Sequence, residues 1–211
     1  MRRLWWAFVR FSFHLFYNQL AWTYDTVAWL VSLGQWKAWG RTAIPYLRGK
    51  RILELAHGPG HLLVAMAERG LYPVGLDLSP TMGRMAGRRL ARENLAVPRV
   101  RARAQALPFR DACFDSTVAT FPSEFILDPA TLRETGRVTG ATGRLVVVAW
   151  ASLGTRDPVS WFIMWLFRLT GQREPQPGRA GRILAEAGVV VRGVWETVGR
   201  SRVMLFVSDR G

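Results

Sequence analysis

The chain has a single cysteine, Cys113, and only three histidines among its 211 residues. A lone cysteine excludes an intramolecular disulfide and a zinc site built from cysteines, and it favours a reducing compartment. The histidines His14, His57 and His61 are too few and too scattered to form a convincing metal site. The sequence therefore predicts no bound metal and no disulfide framework.

Acidic residues are scarce: 15 of them face 29 basic residues, and the formal net charge is +14. All but two of the basic residues, Lys37 and Lys50, are arginines. Such a charge favours polyanionic partners, either nucleic acid or an anionic membrane surface. A lineage-wide preference for arginine would produce the same composition, so the charge alone does not decide between these interpretations.

Long charge-free runs are also lacking. Residues 4–22 predict a helix rich in aromatic residues, with Arg10, His14 and Asn18 forming one narrow polar stripe. The charge-free run over residues 11–24 has 14 residues, short of the roughly 20 that a spanning helix needs. Two compatible interpretations remain: a lid packed on the domain, or a helix lying in the membrane interface.

One stretch, residues 51–61, predicts a strand, a glycine turn and a helix. Ile52, Leu53 and Leu55 form the apolar run of a buried parallel strand, which Glu54 interrupts near its end. Gly-Pro-Gly follows, and residues 62–70 read as a helix that Gly70 ends. Such a turn lets a ligand approach the backbone and directs the N–H groups of the helix start towards it.

A second apolar run, residues 74–77, ends in Asp77 about twenty residues further on. In mononucleotide-binding α/β folds, an acid at this place accepts hydrogen bonds from ribose hydroxyls. The pair of features therefore predicts an adenosine-containing cofactor. A dinucleotide fingerprint would have glycine at position 63, where this chain has Leu63, and there is no Gly-Lys-Ser/Thr of a phosphate-binding loop.

The segment Glu54-Leu-Ala-His-Gly-Pro-Gly60 resembles motif I of class I S-adenosylmethionine-dependent methyltransferases. Within that group it is similar to the C-methyltransferases of ubiquinone and menaquinone biosynthesis, whose motif also carries alanine in place of the first glycine. The resemblance implies an α/β, Rossmann-like class I methyltransferase fold. It would have a mostly parallel seven-stranded sheet, a C-terminal antiparallel strand pair and helices on both faces. It also implies S-adenosylmethionine as cofactor and S-adenosylhomocysteine as product.

The same resemblance implies which residues contact the cofactor. Glu54 and the turn after it would hold the methionine half, Asp77 the ribose, and the loop near Gln105 the adenine. The implied contacts are Tyr24, Glu54, Ala56, Gly58, Gly60, Asp77, Leu78, Ala104, Gln105 and Thr120. Tyr24 is equally well explained as an ordinary core tyrosine.

Among the departures from the family pattern are two residues and one loop. Pro59 replaces a threonine, Arg103 replaces the aspartate that contacts adenine, and the loop over residues 122–125 replaces Gly-Leu-Arg-Asn. Adenine recognition would then depend on Gln105 and backbone groups, and the changed loop, which faces substrate, is compatible with a substrate other than the family's. Glu134 and Arg137 match a helix of the superfamily and are interpreted as structural.

The chain thus divides into an aromatic-rich helical cap, residues 1–48, and a cofactor-binding methyltransferase domain, residues 49–211. We expect a hydrophobic acceptor, an isoprenoid quinone or a membrane lipid, because the aromatic N-terminus and an apolar helix over residues 157–168 converge with the quinone-family motif. A small soluble acceptor is the alternative. The expected location is the cytoplasm, with peripheral attachment to the inner face of the membrane where the cap touches lipid.

The sequence does not identify a general base; Glu124, His57 and His61 are the candidates. A nucleic-acid substrate is disfavoured, because the Asn-Pro-Pro-Tyr-type motif of enzymes that methylate base amino groups is missing. Two other classes remain as hypotheses: a non-catalytic membrane-binding protein on a decayed methyltransferase fold, and a nicotinamide-dependent oxidoreductase. The sequence leaves the oligomeric state undetermined.

Overall fold

A computed structural model describes residues 32–153, 184–185 and 189–208 of the chain. Several predictions fall outside the described residues. They are the helices over residues 4–22 and 157–168, most of a helix that the pattern over residues 179–187 predicts, and the contact at Tyr24. Within the described ranges, no helix is both long and apolar enough to cross a membrane.

The strands form one seven-stranded sheet in the order β3-β2-β1-β4-β5-β7-β6. Neighbouring strands among β1 to β5 pair in parallel, whereas β7 is antiparallel to both β5 and β6. This arrangement confirms the predicted sheet with its C-terminal antiparallel pair. The strands are β1 (Arg51–Leu55), β2 (Tyr72–Leu76), β3 (Arg99–Val100), β4 (Ser116–Thr120), β5 (Arg144–Leu153), β6 (Val191–Val198) and β7 (Ser201–Ser208).

In the described ranges four complete α-helices connect the strands or precede them, and two of these begin at a side-chain cap. The Ser79 hydroxyl accepts a hydrogen bond from the Met82 N–H at 3.3 Å, and Pro80 occupies the first helical position. Asp128 caps a later helix in the same way, through the Ala130 N–H at 2.9 Å. The helices are α1 (Trp36–Arg41), α2 (His61–Ala67), α3 (Pro80–Arg92) and α4 (Pro129–Thr139), with 3-10 turns at Ile44–Tyr46 and Glu124–Leu127.

Two hydrophobic clusters cover the two faces of the sheet, as the alternation of side chains in β5 and β7 requires. One face packs against Trp39 of α1, the buried residues of α2 and Leu90 of α3. The other face packs against Leu132 and Val138 of α4. The prediction of helices on both faces is thereby confirmed. Glu54 lies in β1 between Leu53 and Leu55, so its side chain points to the face that α1 and α2 cover.

Three predicted boundaries were wrong. The pattern over residues 35–47 predicts one helix, but the helix ends at Arg41, because Pro45 has no N–H to continue it and its ring would clash with the preceding turn. The alternating pattern over residues 99–104 predicts a longer third strand. Only its first two residues pair with β2, and the chain then turns at Arg103. The fourth strand stops at Thr120, because Phe121 adopts a left-handed conformation with φ of 47°.

Candidate functional site

The turn between β1 and α2 is built from left-handed backbone. Ala56, Gly58 and Gly60 have φ values of 52°, 53° and 81°. A Cβ built on Gly58 would meet no heavy atom within 4 Å, so this glycine leaves open space above the turn. The backbone here is therefore accessible to a ligand at the carboxyl end of β1.

Asp77, directly after β2, faces this turn across the sheet edge. One carboxylate oxygen accepts a hydrogen bond from the Gly58 N–H at 2.9 Å, and the other accepts one from the Ser79 N–H at 2.8 Å. Each oxygen has a second lone pair, so Asp77 can still accept two hydroxyl hydrogen bonds. The acid thus fixes the glycine turn and offers acceptors suited to a ribose diol.

Glu54 is buried beneath the turn, with 1% of its surface exposed. Its Oε2 has no hydrogen-bond partner among the described residues. Burial, and to a lesser degree the charge of Asp77, raise the pKa of Glu54 well above its ordinary value. A buried carboxylate oxygen without a partner is costly, and a ligand ammonium group would satisfy it. This arrangement fits the amino group of a bound amino acid moiety.

His57 is also buried, and its Nδ1 lies 2.7 Å from the carbonyl oxygen of Gly58. A carbonyl can only accept, so Nδ1 carries a proton. Burial lowers the pKa of His57, although the charge of Asp77 opposes this effect. The imidazole packs against Gly75, where a Cβ would come within 2.7 Å of its ring. His57 is therefore a neutral side chain that supports the turn.

The pocket beside the turn brings together several of the predicted site residues. Glu54 and Thr120 contribute from the ends of β1 and β4, and His61 contributes from the first turn of α2. Glu124 is exposed and is not among the lining residues. The lining residues are Trp36, Lys37, Gly40, Glu54, Ala56, His57, Gly58, Pro59, His61, Leu62, Thr120 and Phe121.

Five residues of this pocket were missed from the sequence: Trp36, Lys37 and Gly40 of α1, Leu62 of α2, and Phe121 after β4. Helix α1 crosses the carboxyl end of β4, since a Cβ on Gly40 would lie 3.8 Å from the Thr120 methyl group. The signal that was available is the spacing of Trp36 and Gly40, which places both on one helix face.

The predicted adenine loop lies between β3 and β4 and is held by charged side chains of α4. Arg137 donates to the carbonyl oxygens of Leu107 and Phe109 at 2.9 Å and 2.7 Å, and Glu134 accepts from the Leu107 N–H at 2.7 Å. The Gln105 amide donates to Asp128 at 3.1 Å and is thereby oriented towards α4. These contacts support the structural interpretation of Glu134 and Arg137.

Two further predicted contacts sit at the edge of this region. Ala104 is buried in the core of the α4 face. Leu78 is 55% exposed, and its carbonyl oxygen accepts from the Arg101 side chain at 3.1 Å. Tyr24 lies outside the described residues. The structure thus gathers Glu54, the glycine turn and Thr120 around one pocket, and Asp77, which accepts from the Gly58 N–H, lines a neighbouring cavity.

Replacing Gly60 by alanine should destabilise the protein by about 2–3 kcal/mol. The backbone is left-handed there, and the new Cβ would lie 2.8 Å from the Ala86 Cβ and 3.2 Å from the Ala86 Cα. Gly83→Ala is the matched control, because that position is open and lies inside α3. It should stabilise by about 0.5–1 kcal/mol. Urea unfolding of both variants checks the pair, and equal stabilities would contradict the turn geometry.

A family profile described as a methyltransferase domain matches residues 52–143, the region that contains β1, the glycine turn and Asp77. A demethylmenaquinone methyltransferase from Thermus thermophilus is 36% identical over 138 residues, which is 63% of each chain. One from Mycolicibacterium paratuberculosis is 35% identical over 135 residues, 62% of this chain and 56% of the relative. Among the first relatives matched, the similarity spans 55% to 63% of their length.

Solved structures share the fold at low identity. A putative S-adenosylmethionine-dependent methyltransferase from Methanococcus maripaludis superposes with a TM-score of 0.64 and 16% identity, covering 90% of this chain and 93% of that one. Geranyl diphosphate C-methyltransferase from Streptomyces coelicolor, in complex with Mg2+, geranyl diphosphate and S-adenosylhomocysteine, gives 0.63 and 15%, covering 82% and 79%. At such identities the likeness establishes the fold alone.

Proposed function

We propose that this chain, which has the class I methyltransferase fold and resembles these enzymes in motif I, transfers a methyl group from S-adenosylmethionine to a hydrophobic acceptor. The observation that carries the proposal is the meeting of Glu54, the glycine turn and Asp77 at the carboxyl ends of β1 and β2. Strand order reverses at this place, since β2 and β4 flank β1. Open α/β sheets bind their ligands at such a switch point.

Each residue has a role that its surroundings support. The buried Glu54 would receive the ammonium group, and the turn from Ala56 to Gly60 would bind the rest of the methionine half. Asp77 would accept both ribose hydroxyls while it holds the Gly58 N–H. When bound, S-adenosylmethionine would supply a methyl group on a positively charged sulfonium, and the neutral thioether of S-adenosylhomocysteine would be the leaving group. The protein's task is then to align donor and acceptor and to exclude water.

An isoprenoid quinone or a membrane lipid is the acceptor that we favour. The curated relatives are named for action on demethylmenaquinone, which supports a quinone. Trp36 of α1 and Phe121 after β4 add apolar surface to the pocket. A small soluble acceptor would fit the same turn and remains the second candidate. A decayed, non-catalytic protein on this fold would retain the turn geometry but transfer no methyl group.

Of the three candidate bases, His61 is the one that we assign to proton removal from an acceptor hydroxyl. It lines the pocket from the first turn of α2, together with Glu54 and Thr120. His57 is committed to the Gly58 carbonyl, and Glu124 is exposed beyond the lining. His61→Gln should therefore lower the rate of transfer more than the affinity for the cofactor.

Residues 1–48 form a cap in this proposal, and residues 49–211 form the cofactor-binding domain. The contacts of α1 with the pocket support a covering role for the cap. Helix α3 exposes Arg84, Arg88 and Arg92, which are spaced by four residues on the face opposite its buried side chains. Such a face would attract an anionic membrane surface, which is consistent with a cytoplasmic protein attached peripherally to the bilayer.

The test incubates purified protein with crude membranes and methyl-labelled S-adenosylmethionine, then extracts with organic solvent. We expect label in the organic phase for the wild type and none for Asp77→Ala. Mass analysis of the labelled lipid identifies the acceptor. Label only in the aqueous phase would replace the lipid by a soluble acceptor. Binding of the cofactor without any transfer, from membranes or from a soluble extract, would favour the non-catalytic alternative.

A further inference from the structure

An aromatic pair, Trp36 and Phe121, lines the pocket beside the glycine turn. The rings of Trp36 and Phe121 lie 4.6 Å apart between centroids, at an interplanar angle of 34°. Buried Trp39 supports both, at 6.1 Å from Trp36 and 6.2 Å from Phe121. The two outer rings line the same pocket as Glu54 and Gly58. The pair is therefore packed against Trp39 and lines the candidate cofactor site.

The backbone of Phe121 adopts an uncommon conformation to place its ring there. Its N–H still donates to the Val148 carbonyl at 2.8 Å, continuing the contact between β4 and β5. Its φ is nevertheless 47°, in the left-handed region that bulky residues rarely adopt. Such conformations persist where the surroundings over-determine them, and they cluster at ligand-binding positions. The fold thus holds an aromatic ring at the end of the strand that borders the site.

In the proposed complex the cofactor brings two positive charges to a pocket that Lys37 also lines. Among the described residues that line it, Glu54 is the only carboxylate, and the proposed function gives that carboxylate to the ammonium group of the cofactor. The sulfonium carries a second positive charge. Aromatic faces are electron-rich and attract cations within about 6 Å, most strongly where water is excluded.

We infer that Trp36 and Phe121 recognise the positive charge of the sulfonium and so distinguish the charged methyl donor from its neutral product. The inference depends on the proposed function, because it deepens the account of the same site. When the methyl group leaves, the sulfur becomes a neutral thioether and the attraction ends. The pair would then favour binding of the donor and release of the product without a change in the fold.

The experiment measures dissociation constants of S-adenosylmethionine and S-adenosylhomocysteine by calorimetry for wild type and Phe121→Leu. We expect the variant to lose about 3- to 30-fold in affinity for the charged donor and less than about twofold for the neutral product. Sinefungin, which carries a protonated amine in place of the methyl sulfonium, should follow the donor. That comparison separates the charge from the contact with the methyl group.

Three variants make the readout specific. Phe121→Tyr keeps an aromatic face and should retain the wild-type ratio of the two affinities. Trp36→Leu should repeat the loss, and it serves as the second test if Phe121→Leu does not fold. Phe206→Leu is the matched control, because Phe206 lies in β7, in the cluster on the opposite face of the sheet. It should leave both affinities unchanged.

Equal losses for donor and product, or no loss for either, would overturn the inference and leave the pair as ordinary packing. A wild-type protein that binds neither compound would refute the proposed function itself. The two failures are therefore distinguishable in one titration series.

Discussion

Asp77→Ala should abolish measurable binding of both S-adenosylmethionine and S-adenosylhomocysteine. The substitution removes the proposed acceptor of two ribose hydroxyls, each a charge-assisted hydrogen bond that contributes about 1.5–3 kcal/mol. It also removes the partner of the Gly58 and Ser79 N–H groups, at 2.9 Å and 2.8 Å. The turn that would receive the methionine half therefore loses its anchor together with the ribose contact.

Calorimetric titration of the folded variant measures the effect, with circular dichroism and thermal unfolding to establish that it folds. Asp77→Asn separates the two contributions, because one side-chain oxygen remains to accept while the amide nitrogen cannot. We expect it to bind more weakly than wild type and more tightly than Asp77→Ala. Glu93→Ala, an exposed acid just beyond α3, is the control and should bind normally. Near-normal binding by Asp77→Ala would refute the assignment of this acid to the cofactor.

Local sequence patterns were sufficient for the elements whose signals lie within a few residues. Ser79 as N-cap and Pro80 at the first helical position predict the start of α3. The apolar runs over residues 189–198 and 202–208, joined through Gly199 and Arg200, predict the C-terminal hairpin. The glycine turn and the acid after β2 also have short-range signatures, so their meeting could be predicted from the parallel order of β1 and β2. The site roles of these residues stay predictions, which the proposed titrations test.

Features that depend on distant contacts could not be read in the same way. Nothing in the local pattern of α1 says that it crosses the end of β4, so Trp36 and Phe121 were not assigned to the pocket. Strand propensity predicts Phe121 as the last residue of β4. Phe121 instead has a left-handed backbone conformation, and its ring packs against Trp36. The Gln105 amide was expected to read adenine, yet it donates to Asp128 at the start of α4.

Glu54→Gln should have opposite effects on stability and on binding. Burial and the charge of Asp77 raise the folded-state pKa of Glu54 well above its unfolded value. A group with a raised pKa contributes stability that is present below its unfolded pKa and is lost as pH rises through the folded pKa. A neutral glutamine has no such loss. Above the raised pKa, the variant should therefore unfold at a higher temperature than wild type.

Binding should show the reverse, because the ammonium group of the cofactor favours ionised Glu54. Binding then lowers the pKa of Glu54 and releases a proton when the free protein is protonated. The affinity of the wild type for the cofactor should rise with pH between the ordinary pKa range of a carboxyl group and the raised pKa of Glu54. Above the raised pKa the affinity should be constant, until the cofactor amine itself loses its proton. Glu54→Gln should abolish this dependence and bind about 10- to 100-fold more weakly, the loss of one hydrogen bond between charged groups.

Calorimetry in buffers of different ionisation enthalpy counts the protons released on binding, and thermal unfolding of the free proteins across pH gives the stability arm. Glu68→Gln is the matched control, since Glu68 is an exposed carboxylate directly after α2. It should leave proton release, affinity and stability as in wild type. A Glu54→Gln protein that binds as tightly as wild type would show that the unpaired Oε2 does not serve the cofactor. The buried carboxylate of Glu54 would then lower the stability of the protein without contributing to cofactor binding.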